Sequence, residues 1–162
     1  ITFRFSNYEW NEYPLTAAGW RIDENGKKYI RVKGVRWFTN IDHGRRHQPL
    51  ALMTMADNLR CSRHKELKGK TAYDHYDNYD AIEVSKTAEI PCDYEGAMGV
   101  PITFLDKYCP EQFEILGAIE NEATEEVKEL RIQGFTKYGS PYIKGIRKYA
   151  RILIRNKHPQ TI

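Results

Sequence analysis

Alternating apolar and polar positions, the pattern typical of strands, open the chain at residues 1–5 and return at residues 149–155. In the later segment Ala150, Ile152 and Ile154 are predicted to point one way and Arg151 and Arg155 the other. Shorter apolar runs predict further strands at residues 20–22, 28–32, 35–39, 81–84, 99–104 and 113–119. An Asn-Gly turn at residues 23–26 predicts that the first two of these form a hairpin.

Helical periodicity is weak and confined to two places. Leu50, Met53 and Leu59 recur at helical spacing, although the neighbouring Pro49 and the short length argue against a long helix. Asn121 or Thr124 is predicted to cap a short acidic helix that ends near residue 130. Residues 40–48 and 60–80 are polar and predict loops. The fold class is therefore α+β, a mostly antiparallel sheet with few short helices.

Composition sets the class of protein. The chain has 162 residues, of which 41% are hydrophobic and 29% charged, so it can bury a core. No apolar stretch approaches the roughly 20 residues of a membrane span, so no membrane partner is expected. Cys61, Cys92 and Cys109 are odd in number and widely spaced, which indicates a reducing cytoplasm rather than a disulfide framework. A strand at the first residue, with no methionine before it, predicts a fragment of a larger protein.

Positive charge is concentrated in three segments, residues 31–47, 60–70 and 144–157, and the last of these contains no acid. The acids form separate blocks at residues 74–95 and 111–129. If the basic segments share one face, that face would bind a polyanion through phosphate contacts. The alternative is three solvated surfaces that never converge.

The sequence contains few of the motifs that form catalytic, metal-binding or cofactor-binding sites in enzymes. Cys61 and His64 have C-x-x-H spacing but no second pair, so no structural zinc is expected. Glu66 and Lys68 form an E-x-K triplet of the nuclease type without a suitable upstream acid, and a small nuclease remains a minor alternative. No nucleophile elbow, no G-x-G and no Pro-Pro occurs anywhere in the chain. No catalytic, metal-binding or cofactor-binding residue is predicted.

Tyr73, Tyr76 and Tyr79 recur at every third position beside several carboxylates. They are predicted to pack a loop onto the domain, with turn hydrogen bonds from Asp77, Asn78 and Asp80, because adjacent carboxylates repel phosphates. The alternative is stacking against nucleic acid.

Three long blocks carry a family resemblance. The first runs from Trp37 to Arg46, the second from Tyr76 to Val84, and the third from Met98 through Tyr108 to Gly117. In residue identity, order and spacing these blocks resemble the EcoRI-type adenine-specific DNA methyltransferases. The resemblance covers residues 30–120 well and extends loosely to the terminal strand.

The resemblance implies transfer of a methyl group from S-adenosylmethionine to adenine by a parent enzyme with a doubly wound core. The glycine loop and the Asn/Asp-Pro-Pro-aromatic motif of such enzymes are absent from this sequence. The chain is therefore expected to be the C-terminal portion, lacking that core and binding no cofactor itself. Residues 1–39 are expected to be the last strands of the catalytic domain, and residues 40–162 a DNA-recognition-like region. Expected partners are double-stranded DNA and the rest of the polypeptide.

Base flipping requires that the duplex be gripped, and arginine and lysine on phosphates provide that grip. The predicted DNA-binding residues come from the first two basic segments: Arg45, Arg46, His47, Arg60, Arg63, Lys65 and Lys68. Asn40 and Gln48 are weaker candidates for reading an adenine edge. The rival hypothesis is a non-enzymatic module that binds nucleic acid or protein.

Overall fold

The computed structural model describes residues 2–3, 20–31, 41–119 and 124–160, and the chain divides into two compact units, Ile1–Ile41 and Asp42–Ile162. Among its described residues, the first unit contains three strands: β1 (Thr2–Phe3), β2 (Trp20–Ile22) and β3 (Lys28–Arg31). They form an antiparallel sheet in the order β1-β3-β2, and the predicted hairpin is confirmed. The strand predicted at residues 35–39 and the candidate Asn40 lie outside the described residues.

The β2–β3 turn follows from its residue types. Gly26 has a φ of 73°, the left-handed conformation that glycine adopts without strain. The Asp23 carboxylate accepts hydrogen bonds from the backbone N–H groups of Asn25 and Lys27, both at 2.9 Å. An Asp-x-x-Gly sequence therefore closes this hairpin locally.

The second unit contains two helices and six strands among its described residues. In chain order these are α1 (Met55–Cys61), β4 (Ala81–Glu83), β5 (Ala97–Val100), β6 (Phe113–Ala118), α2 (Glu125–Glu129), β7 (Tyr142–Ile143), β8 (Ile146–Arg147) and β9 (Ile152–Asn156). The main sheet has the order β4-β5-β9-β6; β4 and β5 are parallel and the other pairs antiparallel. The predicted α+β class with few short helices is confirmed. The longest helix in the described ranges has seven residues, so no helix in these ranges is able to span a membrane.

Both faces of the main sheet are covered. Ile82, Met98 and Ile154 pack on one face with Phe104 and Phe113. On the other face Leu153 packs with a second cluster that includes Tyr76, Tyr79 and Val127. The alternation predicted for the last strand is present, but the face carrying Arg151 and Leu153 is covered rather than solvated, and the strand begins at Ile152.

The predicted packing role of the three tyrosines is confirmed. Tyr73, Tyr76 and Tyr79 are 7%, 1% and 0% exposed. The Tyr76 ring lies directly on β5, where a Cβ at Gly99 would come within 2.0 Å of the phenol oxygen. The Tyr76 hydroxyl donates to the buried Glu83 carboxylate at 2.5 Å, and Arg151 Nη2 donates to the same carboxylate at 2.6 Å.

The helix predictions are partly right. Thr54 and Thr124 cap α1 and α2 through their side chains, as the sequence predicted for Thr124. The predicted strand at residues 99–104 is wrong in its second half, because β5 ends at Val100 and Ile102–Lys107 forms a 3-10 helix. Pro101 has no N–H to donate to a sheet, which explains the end of the strand there.

Candidate nucleic-acid interface

The hairpin β7–β8 was not predicted, although its sequence contains a recognisable turn. Lys144 and Gly145 connect the strands with φ values of 52° and 74°, the left-handed pair that characterises a two-residue hairpin turn. The Asp77 carboxylate accepts hydrogen bonds from the backbone N–H of Lys144 at 3.1 Å and of Gly145 at 2.7 Å. A distant carboxylate thus stabilises a conformation that a non-glycine residue rarely adopts.

Asn78 holds the segment that precedes the hairpin. Its side chain is buried, accepts from the N–H of Tyr142 at 3.0 Å, and donates to the carbonyls of Lys137 and Ser140 at 2.7 Å each. The neighbouring Tyr79 hydroxyl accepts from the N–H of Gly139 at 3.0 Å. The predicted hydrogen bonds of Asp77 and Asn78 therefore exist, but they join residues more than 50 positions apart rather than closing a local turn.

A cleft of about 260 Å³ lies between this segment and the hairpin. It is lined by two aromatic rings, a lysine, a threonine and two glycines: Gly134, Phe135, Thr136, Lys137, Tyr142 and Gly145. The Phe135 and Tyr142 ring centroids are 5.9 Å apart, and Lys137 Nζ lies 5.6 Å from the Tyr142 centroid. Flat rings beside a cation are the elements that bind nucleobases in single-stranded nucleic acids.

The sequence segment that forms the cleft is positively charged. Residues 130–162 contain eight arginines and lysines and no acid. Lys137, Lys144 and Arg147 are exposed, Lys148 is half-buried, and no carboxylate in the described part of the chain forms an ion pair with any of them. Ile146 and Tyr149 lie beside them with 65% and 86% exposure. Exposed cations without carboxylate partners attract phosphates most strongly.

The rest of the last basic segment has other partners. Arg151 forms the buried pair with Glu83, and Arg155 Nη1 lies 3.5 Å from the Glu114 carboxylate. Lys157 Nζ donates to the carbonyl of Pro110 at 2.7 Å. Within this basic segment, the cations without such partners among the described residues are therefore those around β7–β8. Sequence reasoning noted the acid-free run at residues 144–157 but nominated none of its members.

The first predicted group lies on a short 3-10 helix, Gly44–His47. Arg45 is exposed and Arg46 half-exposed. His47 bridges two carboxylates, with Nδ1 2.6 Å from Glu111 and Nε2 2.7 Å from Asp42. Hydrogen bonds and charge from Glu111 and Asp42 raise the pKa of His47 above 6.5. The bridge brings two negative charges beside Arg45 and Arg46 and lowers the net positive charge there.

Glu111 is itself strongly acidic. The Cys109 thiol donates to its Oε2 at 3.1 Å, and this bond together with His47 lowers the pKa of Glu111 to about 2. The carboxylate is therefore ionised throughout the physiological range, and the His47 bridge is an ion pair whenever His47 carries its proton.

The second predicted group extends from α1 into the loop that follows it. Arg60 pairs with Asp57 at 2.6 Å within the helix, whereas Arg63, Lys65 and Lys68 are exposed. Within the described residues, none of this group and none of the 3-10 helix lines the cleft at the hairpin. Gln48 is exposed. A role of these residues in DNA binding stays a prediction.

The described ranges contain no candidate metal site. No group of three or more histidine, cysteine, aspartate and glutamate side chains is placed there to hold a metal ion. His64 faces the buried Glu89, with 3.6 Å between His64 Nδ1 and Glu89 Oε2. Ser62 donates to the other oxygen of Glu89 at 2.7 Å. These contacts join the segment that follows α1 to the 3-10 helix Thr87–Glu89.

Comparison with known proteins gives one family. A family described as "Adenine-specific methyltransferase EcoRI" matches residues 3–157. The chain is 41% identical over 148 residues to the Type II methyltransferase M.EcoRI of Escherichia coli, covering 91% of this chain and 38% of that protein. It is 33% identical over 138 residues to the Type II methyltransferase M.MpnI of Mycoplasma pneumoniae, covering 84% and 40%.

A third relative, the Type II methyltransferase M.MgeORF184P of Mycoplasma genitalium, is 34% identical over 137 residues, covering 83% of this chain and 40% of its own length. The chain thus spans about two fifths of the length of the relatives that it matches. No solved structure matches the chain.

Proposed function

This chain belongs to the EcoRI family of adenine-specific methyltransferases, and we propose that it supplies duplex-DNA binding to such an enzyme. The parent enzyme is an S-adenosylmethionine-dependent DNA methyltransferase of the restriction–modification type, of which this chain is the C-terminal part. The rest of that polypeptide provides the catalytic core. The observation that carries the proposal is the cluster of cations without ion-pair partners among the described residues around hairpin β7–β8, in a sequence segment that contains no acid: Lys137, Lys144, Arg147 and Lys148.

In the part of the chain that the structure describes, the glycines do not fit a binding site for the methyl donor. The sequence contains no G-x-G, and the glycines at strands β5 and β6 leave no open cradle. A Cβ at Gly99 would meet Tyr76, and a Cβ at Gly117 would meet Thr124 Oγ1 at 2.6 Å. The space beside both glycines is occupied by side chains of the core. The chain's own contribution is therefore to hold and orient the duplex.

Phosphate contacts give this function a measurable signature. Four cations that each neutralise one phosphate release about four counterions, so log affinity should fall with log salt at a slope near −3.6, from about −0.9 per contact. The attraction is independent of sequence, so it positions the duplex without specifying the recognition site.

The test is a salt titration of the 162-residue chain on a fully paired duplex. The double variant Arg147→Gln with Lys148→Gln should reduce the steepness of the slope by about 1.8. The matched control is Lys86→Gln with Lys128→Gln, which removes the same charge from an exposed lysine and from one paired with Glu125. A flat salt response of the unmodified chain, or equal loss in both double variants, would overturn the proposal.

A further inference from the structure

We propose that the cleft lined by Phe135 and Tyr142, whose ring centroids are 5.9 Å apart with the ring planes tilted by 45°, holds one unpaired nucleobase of the bound DNA. The base packs against the two rings, and Lys137 and Lys144 neutralise the phosphates on either side of it. This inference rests on the proposed DNA-binding function and adds to it a subsite for a nucleotide outside the stack.

The shape of the cleft supports a flat ligand. Its volume is about 260 Å³, and two aromatic side chains, Phe135 and Tyr142, contribute to its walls. Gly134 and Gly145 have φ values of 86° and 74°, and a Cβ at either would meet no atom within 4 Å. These glycines leave the approach to the rings open. Every base presents a π-face, so such a cleft accepts a base with little regard to its identity.

The cleft is fixed before any ligand binds. Asn78 joins the carbonyls of Lys137 and Ser140 to the N–H of Tyr142, which ties one wall to the other. The backbone carbonyl of Asn78 also accepts from the N–H of Ile132 at 3.1 Å. A preformed site loses little conformational entropy on binding, so the stacking energy is realised as affinity.

The charges around the cleft favour nucleic acid. Asp77 is the carboxylate that contacts the hairpin, and both its oxygens accept backbone N–H groups of the turn. Lys137, Lys144 and Arg147 carry their charge at the surface. Cations also attract an acidic peptide, but the paired rings add a contact that only a planar aromatic ligand uses well.

The experiment compares two duplexes of equal length with the 162-residue chain. One is fully paired, and the other carries a single bulged 2-aminopurine whose fluorescence is quenched by stacking. We expect the bulged duplex to bind about tenfold tighter, within the range for one base stacked on an aromatic side chain, and its fluorescence to fall on binding.

Ring-removing variants locate the subsite. Phe135→Leu and Tyr142→Leu keep an apolar side chain but no flat surface, and each should abolish the preference for the bulged duplex. Tyr142→Phe should retain the preference. Tyr149→Leu is the matched control, because Tyr149 is an exposed aromatic residue in the same basic segment but outside the cleft. Thermal melting checks that each variant is folded, and Phe135→Leu carries the test if Tyr142→Leu is not.

The outcomes separate the two proposals. Equal affinity for both duplexes without quenching overturns the nucleobase subsite, whereas salt-dependent duplex binding would still support the proposed function. Loss of the preference in Tyr149→Leu but not in Tyr142→Leu places the stacking surface elsewhere and also overturns it. Failure to bind either duplex at low salt overturns both the duplex-binding proposal and the nucleobase subsite. Both are also overturned if poly-glutamate at equal charge concentration displaces the duplexes completely.

Discussion

Asn78 is the residue on which the candidate interface depends most directly. It is 0% exposed and its side chain satisfies three backbone groups of the segment that forms the cleft. Few side chains other than asparagine present an acceptor and two donors of this size. A single buried amide therefore substitutes for the regular hydrogen bonds that residues 132–142 lack.

We predict that Asn78→Ala lowers the free energy of unfolding by about 2 kcal/mol or more, because it leaves buried backbone groups without partners. Urea denaturation of the second unit measures the loss. Gln133→Ala, an exposed amide in the same segment, serves as the control and should change stability by about 0.5 kcal/mol or less. A loss from Asn78→Ala as small as that of the control would contradict the assigned role.

His47 gives a prediction about pH. Its folded pKa is raised above 6.5, so the stabilisation from its bridge is complete below pH 6.5 and is lost as pH rises through the raised value. The pKa of Glu111 is lowered from 4.5 to about 2, so its contribution is present above pH 4.5 and is lost as pH falls towards 2. The bridge therefore stabilises the fold most between pH 4.5 and pH 6.5, where both groups are charged.

An NMR titration of the His47 ring should give a pKa above 6.5 in the unmodified chain and a lower pKa in Glu111→Gln. Glu114→Gln is the control, because that carboxylate contacts Arg155 rather than His47. An unchanged His47 pKa in Glu111→Gln would show that the bridge is not formed in solution.

At the scale of elements, the parallel β4–β5 pair packs closely against the ring of Tyr76. Gly99 pairs with Glu83 on one side and Leu153 on the other, and the Tyr76 ring covers its Cα. The absence of a side chain at this position lets the Tyr76 hydroxyl reach Glu83. Glycine is used here for close approach and not for backbone freedom.

We predict that Gly99→Ala destabilises the chain by roughly 1–3 kcal/mol, because the added methyl group forces Tyr76 away from Glu83 and leaves that carboxylate with fewer donors. Thermal melting checks it against Gly44→Ala, where a Cβ would meet no atom within 4 Å. A Gly99→Ala melting temperature equal to that of Gly44→Ala would refute this account of the packing.

The 3-10 helix Gly44–His47 is a second element with a testable role. We predict that changing Arg45 and Arg46 to alanine shifts stability by about 0.5 kcal/mol or less, since Arg45 is exposed and Arg46 half-exposed. The same double variant should weaken duplex binding in a filter-binding or anisotropy assay. The competing account, that an arginine holds this segment in place, predicts a melting temperature several degrees lower with normal DNA binding.

At the scale of the whole molecule, the chain spans 38–40% of the length of its relatives. It contains neither G-x-G nor Pro-Pro. Methyl transfer requires donor and acceptor to be held together in the reacting geometry. We therefore expect duplex binding by this chain to be separable from methyl transfer.

We predict that the 162-residue chain alone transfers no methyl group to DNA. Incubation with radiolabelled S-adenosylmethionine and a duplex should give no incorporation above a protein-free control. Measurable incorporation, or stoichiometric binding of S-adenosylmethionine in a calorimeter, would contradict the prediction.

The sequence by itself determined the features that depend on neighbouring residues. The Asn25-Gly26 turn defined the first hairpin, Thr124 capped α2, and the apolar runs located β4 and β6. Long blocks of specific residues identified the family without any structural information. Each of these signals is local, because turn conformation, capping and strand periodicity depend on residues within a few positions.

Only the tertiary structure decided which charges are available. Arg151 belongs to an acid-free run in the sequence, yet it is paired with Glu83 across the sheet, and His47 lies between Asp42 and Glu111. The hairpin at Lys144 depends on Asp77, 67 positions away. Electrostatic partners and buried hydrogen bonds are set by distance in space, and the strand order β4-β5-β9 is what brings Arg151 to Glu83.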